Sequence, residues 1–563
     1  MKGKDIMRSQ TFLRYLLLGG VLLFLGVFLL LPIGTVLGVG CDLQLIAELF
    51  RNRIYVEGLW NSFAIALCTT GMVFVISLGL ALLYDRYNFP GKSFANTALL
   101  IPMVLPPFVG ALGFKQILGY HGVINALLGH LGIAPVDFLS GSGVFWAVCF
   151  IEALHLFPIC YLNLVTALGN IDPAMTEAAA NLGASPWQRF LKVRLPLMRS
   201  GILAGCSITL IWSFTELGTP LMFGFTRTTA VQVFNGLTEL ESNPIPYALV
   251  VIMLAVSALL YLVAKLALKS APAASGGKGM VNANSTELRS WRKFLPGSAF
   301  GVVTLLAGLP HIALICCAFS TRFSGTVFPE NFTFENFELA LSNALVLPSI
   351  ANSLKYSFLA MFIACAAGLL VALAAVRWRL KGSGIADLLA MLPLAVPGVV
   401  FAFGFLGMSV KFSWASLLFD PVNNPVWLLS IAYAVRRIPY VVRAVSSGLE
   451  QTPEELENAA RNFGAGPFRT LVKVTLPLVT ANLIVGGLFA FSFSMLEVSD
   501  SLILAQKQEF FPITKALYEL SQILGYGTGA ASAFGVWAMF FLGATLCAGA
   551  LLLGKKIGAV FKF

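Results

Sequence analysis

Apolar runs of about twenty residues recur along the whole chain, and they restrict the fold more than any other feature of the sequence. A helix of that length rises about 30 Å, which matches the hydrocarbon core of a bilayer. A helix also pairs its own backbone N–H and C=O groups, as a lipid environment requires. The sequence therefore predicts an all-α polytopic membrane protein.

Twelve of these runs are predicted to cross the membrane, and we number them spans 1 to 12 in chain order. They cover residues 14–38, 62–84, 95–117, 143–167, 201–224, 245–268, 298–320, 351–376, 385–408, 426–446, 480–503 and 529–554. The composition agrees, since 58% of the residues are hydrophobic and only 11% are charged, which is unlike a soluble globular protein. Span 1 follows basic residues as a signal peptide would, but it is too long and lacks a small-residue cleavage site. It is therefore predicted to remain in the protein.

Lysine and arginine residues concentrate in every second connection between the spans. With the N-terminus in the cytoplasm, most of the 37 basic residues fall in cytoplasmic segments, which is the positive-inside pattern. Both termini are therefore predicted to be cytoplasmic. The net charge of +11 then reflects topology and contact with anionic lipid. A nucleic-acid partner is not predicted, because no basic stretch is interleaved with exposed aromatic residues.

The patterns of cysteine, histidine and glycine do not indicate chemistry on this chain. The nine cysteines lie mostly inside predicted spans and the four histidines are scattered, so neither a metal site nor a catalytic site is predicted. The sequence Gly91-Lys92-Ser93 lacks the first glycine of a phosphate-binding loop. Any ATP hydrolysis must therefore come from a partner.

One polar segment occurs twice, half the chain apart. The first copy runs from Glu177-Ala178-Ala179-Ala180 through Gly183-Ala184 to Leu195-Pro196-Leu197, and the second runs from Asn458-Ala459-Ala460 through Gly464-Ala465 to Leu476-Pro477-Leu478. Aligned on their glycines, the copies lie 281 residues apart (464 minus 183). Such spacing indicates an internal duplication. A polar, alanine-rich segment is a poor membrane span, but it suits a docking surface between spans.

The duplication extends over two halves of six spans each. Asn61-Ser62 matches Asn352-Ser353 at the start of spans 2 and 8. The predicted domains are a first half at residues 1–269, a small-residue cytoplasmic linker at 270–297 and a second half at 298–563. Because six is an even number, both halves have the same orientation, which gives a parallel repeat about an axis along the membrane normal.

Paired prolines recur at matching depths of spans 3 and 9, at positions 102 and 106 and at positions 393 and 397. They are expected to break or kink both spans. One interpretation is a packing kink. The other is a bend at Pro106 and at Pro397 that lines a central translocation pathway.

Each copy of the polar segment is predicted to form a helical hairpin, at about residues 172–197 and 452–478. Asp172-Pro173 and Thr452-Pro453 are suited to begin a helix. Gly183 and Gly464 permit a sharp turn, because glycine adopts backbone angles that other residues resist. An ordinary interfacial helix is the alternative for one copy, and the occurrence of the segment in both halves argues against it.

These residues carry a resemblance to a known family. The pattern is similar to the EAA loop of permeases from binding-protein-dependent ABC importers, and the similarity covers nearly the whole chain as two fused permease halves. The resemblance implies the type I importer permease fold in a bacterial inner membrane. It also implies one permease chain per complex, an extracytoplasmic solute-binding protein and two ATPase subunits. ATP and Mg²⁺ are then bound by those subunits, with no cofactor on this chain.

For individual residues, the resemblance implies that each hairpin docks into a cleft on one ATPase subunit. The implied docking residues are Glu177, Ala178, Ala179, Gly183, Ala184, Pro196, Glu457, Asn458, Ala459, Ala460, Gly464, Ala465 and Pro477. The second copy departs from the family pattern, because Asn458 stands where the first copy has Glu177. Either Glu457 substitutes from the adjacent turn, or the second docking site is weaker.

Carboxylates inside the spans mark a second candidate site. Glu216 in span 5 and Glu497 in span 11 are also 281 residues apart, Thr215 precedes the first, and Asp500 follows the second by one turn. A carboxylate at bilayer depth costs about 2.5–3.5 kcal/mol, so it usually faces a pathway or a partner. We therefore expect these four residues to line the translocation pathway. The alternative is that Glu216 and Glu497 lie at the outer interface, hydrogen-bonded to water, or cap helix ends.

The sequence Thr-Glu-Leu-Gly-Thr-Pro at 215–220 most resembles the ferric-iron group of fused importer permeases. The resemblance implies ferric iron as the cargo, with 2-aminoethylphosphonate and thiamine as alternatives from closely related permeases. A proton- or sodium-coupled secondary transporter with 6+6 parallel repeats is the rival from another class. A membrane scaffold that transports nothing is a further rival. The duplicated docking segment argues against the secondary transporter, whereas the intramembrane carboxylates favour it. Failure to bind any ATPase subunit would favour the scaffold.

Overall fold

The computed structural model of the protein describes residues 2–104, 107–239, 243–269, 286–288 and 290–553. Pro106 and much of the predicted linker at 270–297 lie outside the described residues. The described part is dominated by helices, and their positions can be compared directly with the twelve predicted spans.

Eight of the predicted spans are continuous apolar helices that are long enough to cross a membrane. They are spans 1, 2, 4, 6, 7, 8, 11 and 12, at Thr11–Gly40, Arg53–Arg86, Gly141–Gly169, Ile245–Leu268, Ser290–Ala318, Val346–Arg377, Pro467–Met495 and Gly527–Thr545. Each observed helix overlaps the apolar run that predicted it. The interpretation of these runs as membrane helices is therefore confirmed.

Spans 5 and 9 are bent pairs of helices. In span 5, Pro186–Leu197 and Arg199–Phe214 meet at 66°, and in span 9, Ser383–Leu394 and Gly398–Lys411 meet at 108°. Pro397 stands at the second bend, immediately before the helix that begins at Gly398. The break predicted for span 9 is therefore present, as expected from the missing N–H and the steric demands of proline.

Spans 3 and 10 complete the set. Span 3 is interrupted, with helices at Lys92–Ala98, Ile101–Val104 and Pro107–Leu118. Span 10 is one helix, Val426–Gln451, and it carries three arginines, at positions 436, 437 and 443. With these two, the architecture is the predicted all-α polytopic fold of about twelve helices in two six-helix repeats.

Short helices and two small sheets connect the spans. The connecting helices lie at Leu43–Arg51, Val123–His130, Pro173–Asn181, Gly218–Met222, Thr229–Asn235, Gly236–Glu239, Glu335–Ser342, Ser413–Leu418, Glu455–Asn462, Ser499–Leu504, Gln508–Phe510 and Ile513–Ser521. One sheet pairs Tyr87–Asn88 with Thr286–Glu287 in parallel, and the other pairs Ser320–Arg322 with Glu330–Phe332 antiparallel.

The two halves carry the same helical irregularity at the same place. A single π-helical turn at Phe190–Arg194 lies in the first helix of span 5, and another at Leu471–Thr475 lies in span 11. The two turns are 281 residues apart, as are the two copies of the polar segment. Isolated π-helical turns are frequent at functional sites. The polar segments that precede these two turns are therefore candidate functional sites.

The first span of each half packs against the other half. Span 1 lies against span 9, where a Cβ on Gly404 would come within 2.6 Å of the Pro32 carbonyl oxygen. Span 7 lies against span 3, where a Cβ on Gly113 would overlap the Pro310 carbonyl oxygen. Gly113 and Gly404 are equivalent positions of the repeat, so the exchange is reciprocal. Glycine is needed at both positions, because a side chain would strike the backbone of the exchanged span.

Two apolar cores follow from this exchange. One contains Leu25 of span 1 and Leu249 of span 6 together with Phe401 of span 9. The other contains Phe157 of span 4 together with Phe300 of span 7. Each core therefore draws buried side chains from both halves, and burial of apolar surface holds the halves together.

Candidate functional site

Both copies of the polar segment fold as helical hairpins, which we name the first hairpin (residues 172–197) and the second hairpin (residues 452–478). In the first hairpin, the Asp172 carboxylate accepts a 2.9 Å hydrogen bond from the Ala174 N–H and caps the helix Pro173–Asn181. An acidic cap followed by proline at the first helical position is a common helix start. The corresponding helix of the second hairpin is Glu455–Asn462.

Both hairpins turn at a glycine in the left-handed conformation. Gly183 has φ +84° and Gly464 has φ +81°. The first turn is closed by a 2.9 Å bond from the Gly183 N–H to the Ala180 carbonyl and a 3.0 Å bond from the Ala184 N–H to the Ala179 carbonyl. The second hairpin repeats both bonds at the same lengths. The sharp turn expected at each glycine is therefore present, in a conformation that residues with side chains rarely adopt.

Each hairpin also exposes apolar side chains that were not predicted from the sequence, and we name the three most exposed of each hairpin its apolar triad. They are Met175, Leu182 and Trp187 in the first hairpin and Leu456, Phe463 and Phe468 in the second. Each member lies 281 residues from its counterpart, so apolar character is kept at three positions although the residue types change. A position-by-position comparison of the two copies would have found them. Grouped apolar side chains on an exposed surface indicate an interaction site.

Most of the expected docking residues lie at or near the hairpin surface. Those that are exposed are Glu177, Ala178, Gly183, Pro196, Asn458, Ala459, Gly464 and Pro477, and those that are partly buried are Ala179, Ala184, Ala460 and Ala465. Their side chains are mostly small, so another protein surface can approach the backbone of each hairpin closely.

Glu457 does not share this placement. Its carboxylate is buried, 3.1 Å from Nε of Arg377 at the end of span 8 and 3.6 Å from Nη2 of Arg461. Asn458 occupies the exposed position that Glu177 has in the first hairpin. Glu457 therefore lies beneath the hairpin surface, beside the end of span 8, and not at the exposed position of Glu177.

An ionic cluster lies inside the second half. Glu497 accepts hydrogen bonds from the guanidinium groups of both Arg436 and Arg437. Arg436 also lies 3.3 Å from the carboxylate of Asp500. All four side chains are largely buried. Two positive and two negative groups therefore face each other, which is the balance that buried charges require.

Glu216, the counterpart of Glu497 in the first half, has a different environment. Its carboxylate accepts hydrogen bonds from the N–H groups of Gly218 (3.1 Å) and Thr219 (3.3 Å). It therefore caps the short helix Gly218–Met222. Such a cap stabilises the carboxylate by backbone dipoles instead of by a neighbouring cation.

Span 4 of the first half has His155 and Leu156 where span 10 of the second half has Arg436 and Arg437. His155 is the counterpart of Arg436, and its Nδ1 lies 3.0 Å from the Pro102 carbonyl oxygen in span 3. Glu152 accepts a hydrogen bond from the Ser213 hydroxyl in span 5. Neither Glu152 nor Glu216 forms an ion pair within the described part of the chain. The halves therefore match in backbone but differ in charge.

The segments that follow the two carboxylates meet at the interface between the halves. A Cβ on Gly218 would lie 3.1 Å from Oε1 of Glu216 and 3.4 Å from Cγ1 of Val498. Equivalent positions of a parallel repeat are expected to meet in this way near the axis. Thr215, beside Glu216, donates its hydroxyl to the Ile211 carbonyl oxygen of its own helix at 3.0 Å.

A model of one protein family matches both halves of the chain. The family is described as the inner membrane component of binding-protein-dependent transport systems, and the matches cover residues 74–270 and 364–556. Together they include more than half of the sequence, and each contains one hairpin. The chain belongs to this family. It is therefore a permease subunit of an ABC importer, with the two permease units fused in one chain.

Individual relatives agree with a fused permease. A putative ferric transport system permease protein of Haemophilus influenzae is 24% identical over 477 residues, which are 81% of this chain and 71% of the relative. An Fe(3+)-transport system permease protein of the same strain is 25% identical over 463 residues, covering 81% of this chain and 82% of the relative. A probable molybdenum ABC transporter permease protein of Haloferax volcanii is 30% identical over 247 residues, covering 44% of this chain and 87% of the relative. The last relative thus corresponds to less than half of this permease.

Spans 1 and 7 differ from the other spans of this permease in their relation to the family. Both matched regions begin within the second span of a half, at residues 74 and 364. Spans 1 and 7, which pack against the opposite half, therefore lie outside the regions that define the family.

Proposed function

We propose that this permease is the whole translocation unit of an ATP-driven importer of ferric iron. One permease chain, with halves at 1–269 and 298–563 joined by the linker 270–297, binds two copies of an ATPase subunit that carry ATP and Mg²⁺. An extracytoplasmic binding protein delivers the cargo, and both termini and both hairpins face the cytoplasm. The observation that carries this proposal is the pair of matching hairpins, each with an exposed apolar triad that serves as the docking surface for one ATPase subunit.

The proposed mechanism uses the continuity between each hairpin and a span. The first hairpin runs through its π-helical turn to the 66° bend before Arg199–Phe214, and the second runs directly into Pro467–Met495. When ATP draws the two ATPase subunits together, the hairpins move with them and turn these spans. The two halves then rock between inward-open and outward-open states, as is common in repeat-built transporters.

Ferric iron is proposed as cargo because two relatives are ferric permeases and because intramembrane carboxylates suit a cation. The proposed pathway residues are Thr215, Glu216, Glu497, Asp500, Pro397 and its equivalent Pro106. Among the described residues, no group of three or more His, Cys, Asp or Glu side chains is placed to hold a metal ion. Recognition of the cargo therefore rests on the binding protein, and the carboxylates act on a cargo in transit.

The test is reconstitution of the permease in proteoliposomes with the ATPase and binding protein encoded beside it. We expect ATP hydrolysis and uptake to be stimulated by the binding protein loaded with ferric iron, and not by 2-aminoethylphosphonate or thiamine. Stimulation by one of the other two would change the cargo and keep the importer. Uptake that persists without ATP and stops when the ion gradient collapses would establish a secondary transporter. A permease that binds no ATPase subunit would overturn the proposal.

Valine at both turn glycines (G183V with G464V) is expected to separate the permease from its ATPase. Open space surrounds both positions, so the cost comes from forcing an L-residue into the left-handed region, about 1–2 kcal/mol at each turn and more for a β-branched residue. Each hairpin then relaxes, and its apolar triad loses its arrangement. We expect the variant to fold and to insert into the membrane. It should co-purify with roughly tenfold less ATPase per docking site than the unchanged permease does.

Gly91 and Gly382 provide a matched control for backbone strain. They are equivalent positions of the repeat, with φ values of +76° and +93° and open space around them. They lie in the turns that precede spans 3 and 9, outside both hairpins. The G91V with G382V variant should therefore retain its ATPase. Normal transport by the G183V with G464V variant would refute the docking assignment.

A further inference from the structure

The two hairpins are attached to the membrane helices by different ion pairs. In the second hairpin, we name the helix Glu455–Asn462 the docking helix. Its residue Glu457 pairs with Arg377 at the end of span 8. In the first hairpin, Arg194 of the second arm pairs with Asp85 at the end of span 2, with 3.2 Å between Nη1 and Oδ2. Spans 2 and 8 are equivalent, but the two attachments reach opposite arms of their hairpins.

Arg377 connects three elements of the second half. It is the last residue of the π-helical turn Leu373–Arg377 that ends span 8. Its Nη2 donates a 2.7 Å hydrogen bond to the Thr452 carbonyl oxygen, where span 10 ends. Its Nε lies 3.1 Å from Oε1 of Glu457, and its Nη1 lies 3.9 Å from Oε1 of Glu454. The Arg377 side chain is only 5% exposed and that of Glu457 only 10%. One guanidinium group thus holds span 8, span 10 and the docking helix together.

Neither attachment has both of its residues in the opposite half: Arg377 has a counterpart in Arg86, but its acidic partner does not. The counterpart of Glu457 in the first hairpin is Thr176. The counterparts of Asp85 and Arg194 in the second half are Val376 and Thr475. The two halves therefore differ in the residues that form these ion pairs, although the backbones of the hairpins agree closely.

We propose that Arg377 and Glu457 form a strut that transmits movement of the second hairpin to span 8, with Arg377 as the positioning residue. This inference rests on the proposed docking of ATPase subunits to the hairpins. A desolvated ion pair with an additional backbone hydrogen bond resists separation, because breaking it leaves a buried charge without a partner. The Arg194–Asp85 pair is 30% and 19% exposed, and solvent weakens such a pair. The two ATPase subunits therefore act unequally on the permease, and the second hairpin carries more of the coupling.

The strut is tested with Arg377→Gln in the reconstituted complex of permease, ATPase and binding protein. We expect the ATPase to co-purify as it does with the unchanged permease, while cargo moved per ATP hydrolysed falls roughly two- to thirtyfold, the range of known coupling effects. Arg379→Gln is the matched control. Arg379 lies two residues away, and its exposed side chain bonds Glu454 at 3.0 Å, so this variant should keep the normal ratio. Equal behaviour of the two variants would overturn the strut.

A double variant separates transmission from stability. Arg377→Met with Glu457→Met removes both charges together, so no buried charge is left unpaired and folding stability should recover relative to Arg377→Gln. We expect the thermal unfolding temperature to recover while the ratio of cargo to ATP stays low. Recovery of both quantities would show that the pair only stabilises the fold, and would overturn the inference. Failure of the unchanged permease to bind its ATPase would instead overturn the proposed function itself.

Discussion

Alanine at both hairpin aromatics (W187A with F468A) is expected to abolish assembly of the permease with its ATPase. The two side chains are 67% and 77% exposed, yet they are members of the apolar triads on the proposed docking surfaces. Truncation of an aromatic anchor in an interface costs about 2 kcal/mol or more. For a pair of ATPase subunits that engages both hairpins together, the two losses add up to roughly a thousandfold in affinity. The measurement is ATPase retained on the purified permease, followed by titration of the subunit.

Trp60 and Phe328 supply the control for this loss. They are 68% and 78% exposed and lie outside both hairpins, so W60A with F328A removes the same side-chain types at the same exposure. This control should bind the ATPase as the unchanged permease does. If W187A with F468A binds equally well, the triads are not the docking surfaces.

Replacement of Glu497 by glutamine is expected to destabilise the protein, whereas the same replacement of Glu216 should leave the fold intact. Loss of the Glu497 charge leaves Arg436 and Arg437 facing each other without their main partner, at a cost of about 3–5 kcal/mol for a broken buried pair. In the Glu216→Gln variant, the amide oxygen of the new side chain can still accept hydrogen bonds from the Gly218 and Thr219 N–H groups, so the helix cap survives. Thermal unfolding in detergent measures both effects.

Transport distinguishes the two carboxylates further. Glu216→Gln should slow uptake of cargo in a stable protein, because it removes a charge from the proposed pathway without removing a structural partner. Glu519→Gln is the control for the chemical change alone. That residue pairs with Lys515 at 3.5 Å and is 39% exposed, so stability should change by less than about 0.5 kcal/mol. Equal stability of Glu497→Gln and Glu519→Gln would contradict the structural role of the ionic cluster.

Much of the fold is predictable because it depends on local properties of the sequence. The length of an apolar run predicts a span, and a constant offset between two copies predicts equivalent halves. The turns at Gly183 and Gly464 are predictable for the same reason, since the backbone angle and the residue type belong to one position. The exchange of spans 1 and 7 is not local. Nothing near Pro32 indicates that it will contact Gly404.

In the candidate site too, the features that depend on local sequence are predictable, and those that depend on distant residues are not. The hairpins were predicted, and the apolar triads could have been, because both are repeated along the sequence. The direction of Glu457 could not, since it depends on Arg377, a residue of another span. The ionic cluster escaped prediction for a similar reason. Glu497 is repeated in the first half as Glu216, but its two arginines are replaced there by His155 and Leu156, so comparison of the halves gives no sign of the pairing.

The reciprocal packing of spans 1 and 7 also determines the order in which the protein can mature on the ribosome. Spans 1 to 6 are synthesised before span 7, so the groove at Gly113 that receives Pro310 stays unfilled until span 7 has been made. Span 1 likewise waits for span 9, which carries Gly404. The contacts between the two halves therefore form late and join residues that are far apart in sequence. Such contacts are typical of slow folding. Neither half is a finished folding unit, although each is a complete copy of the repeat.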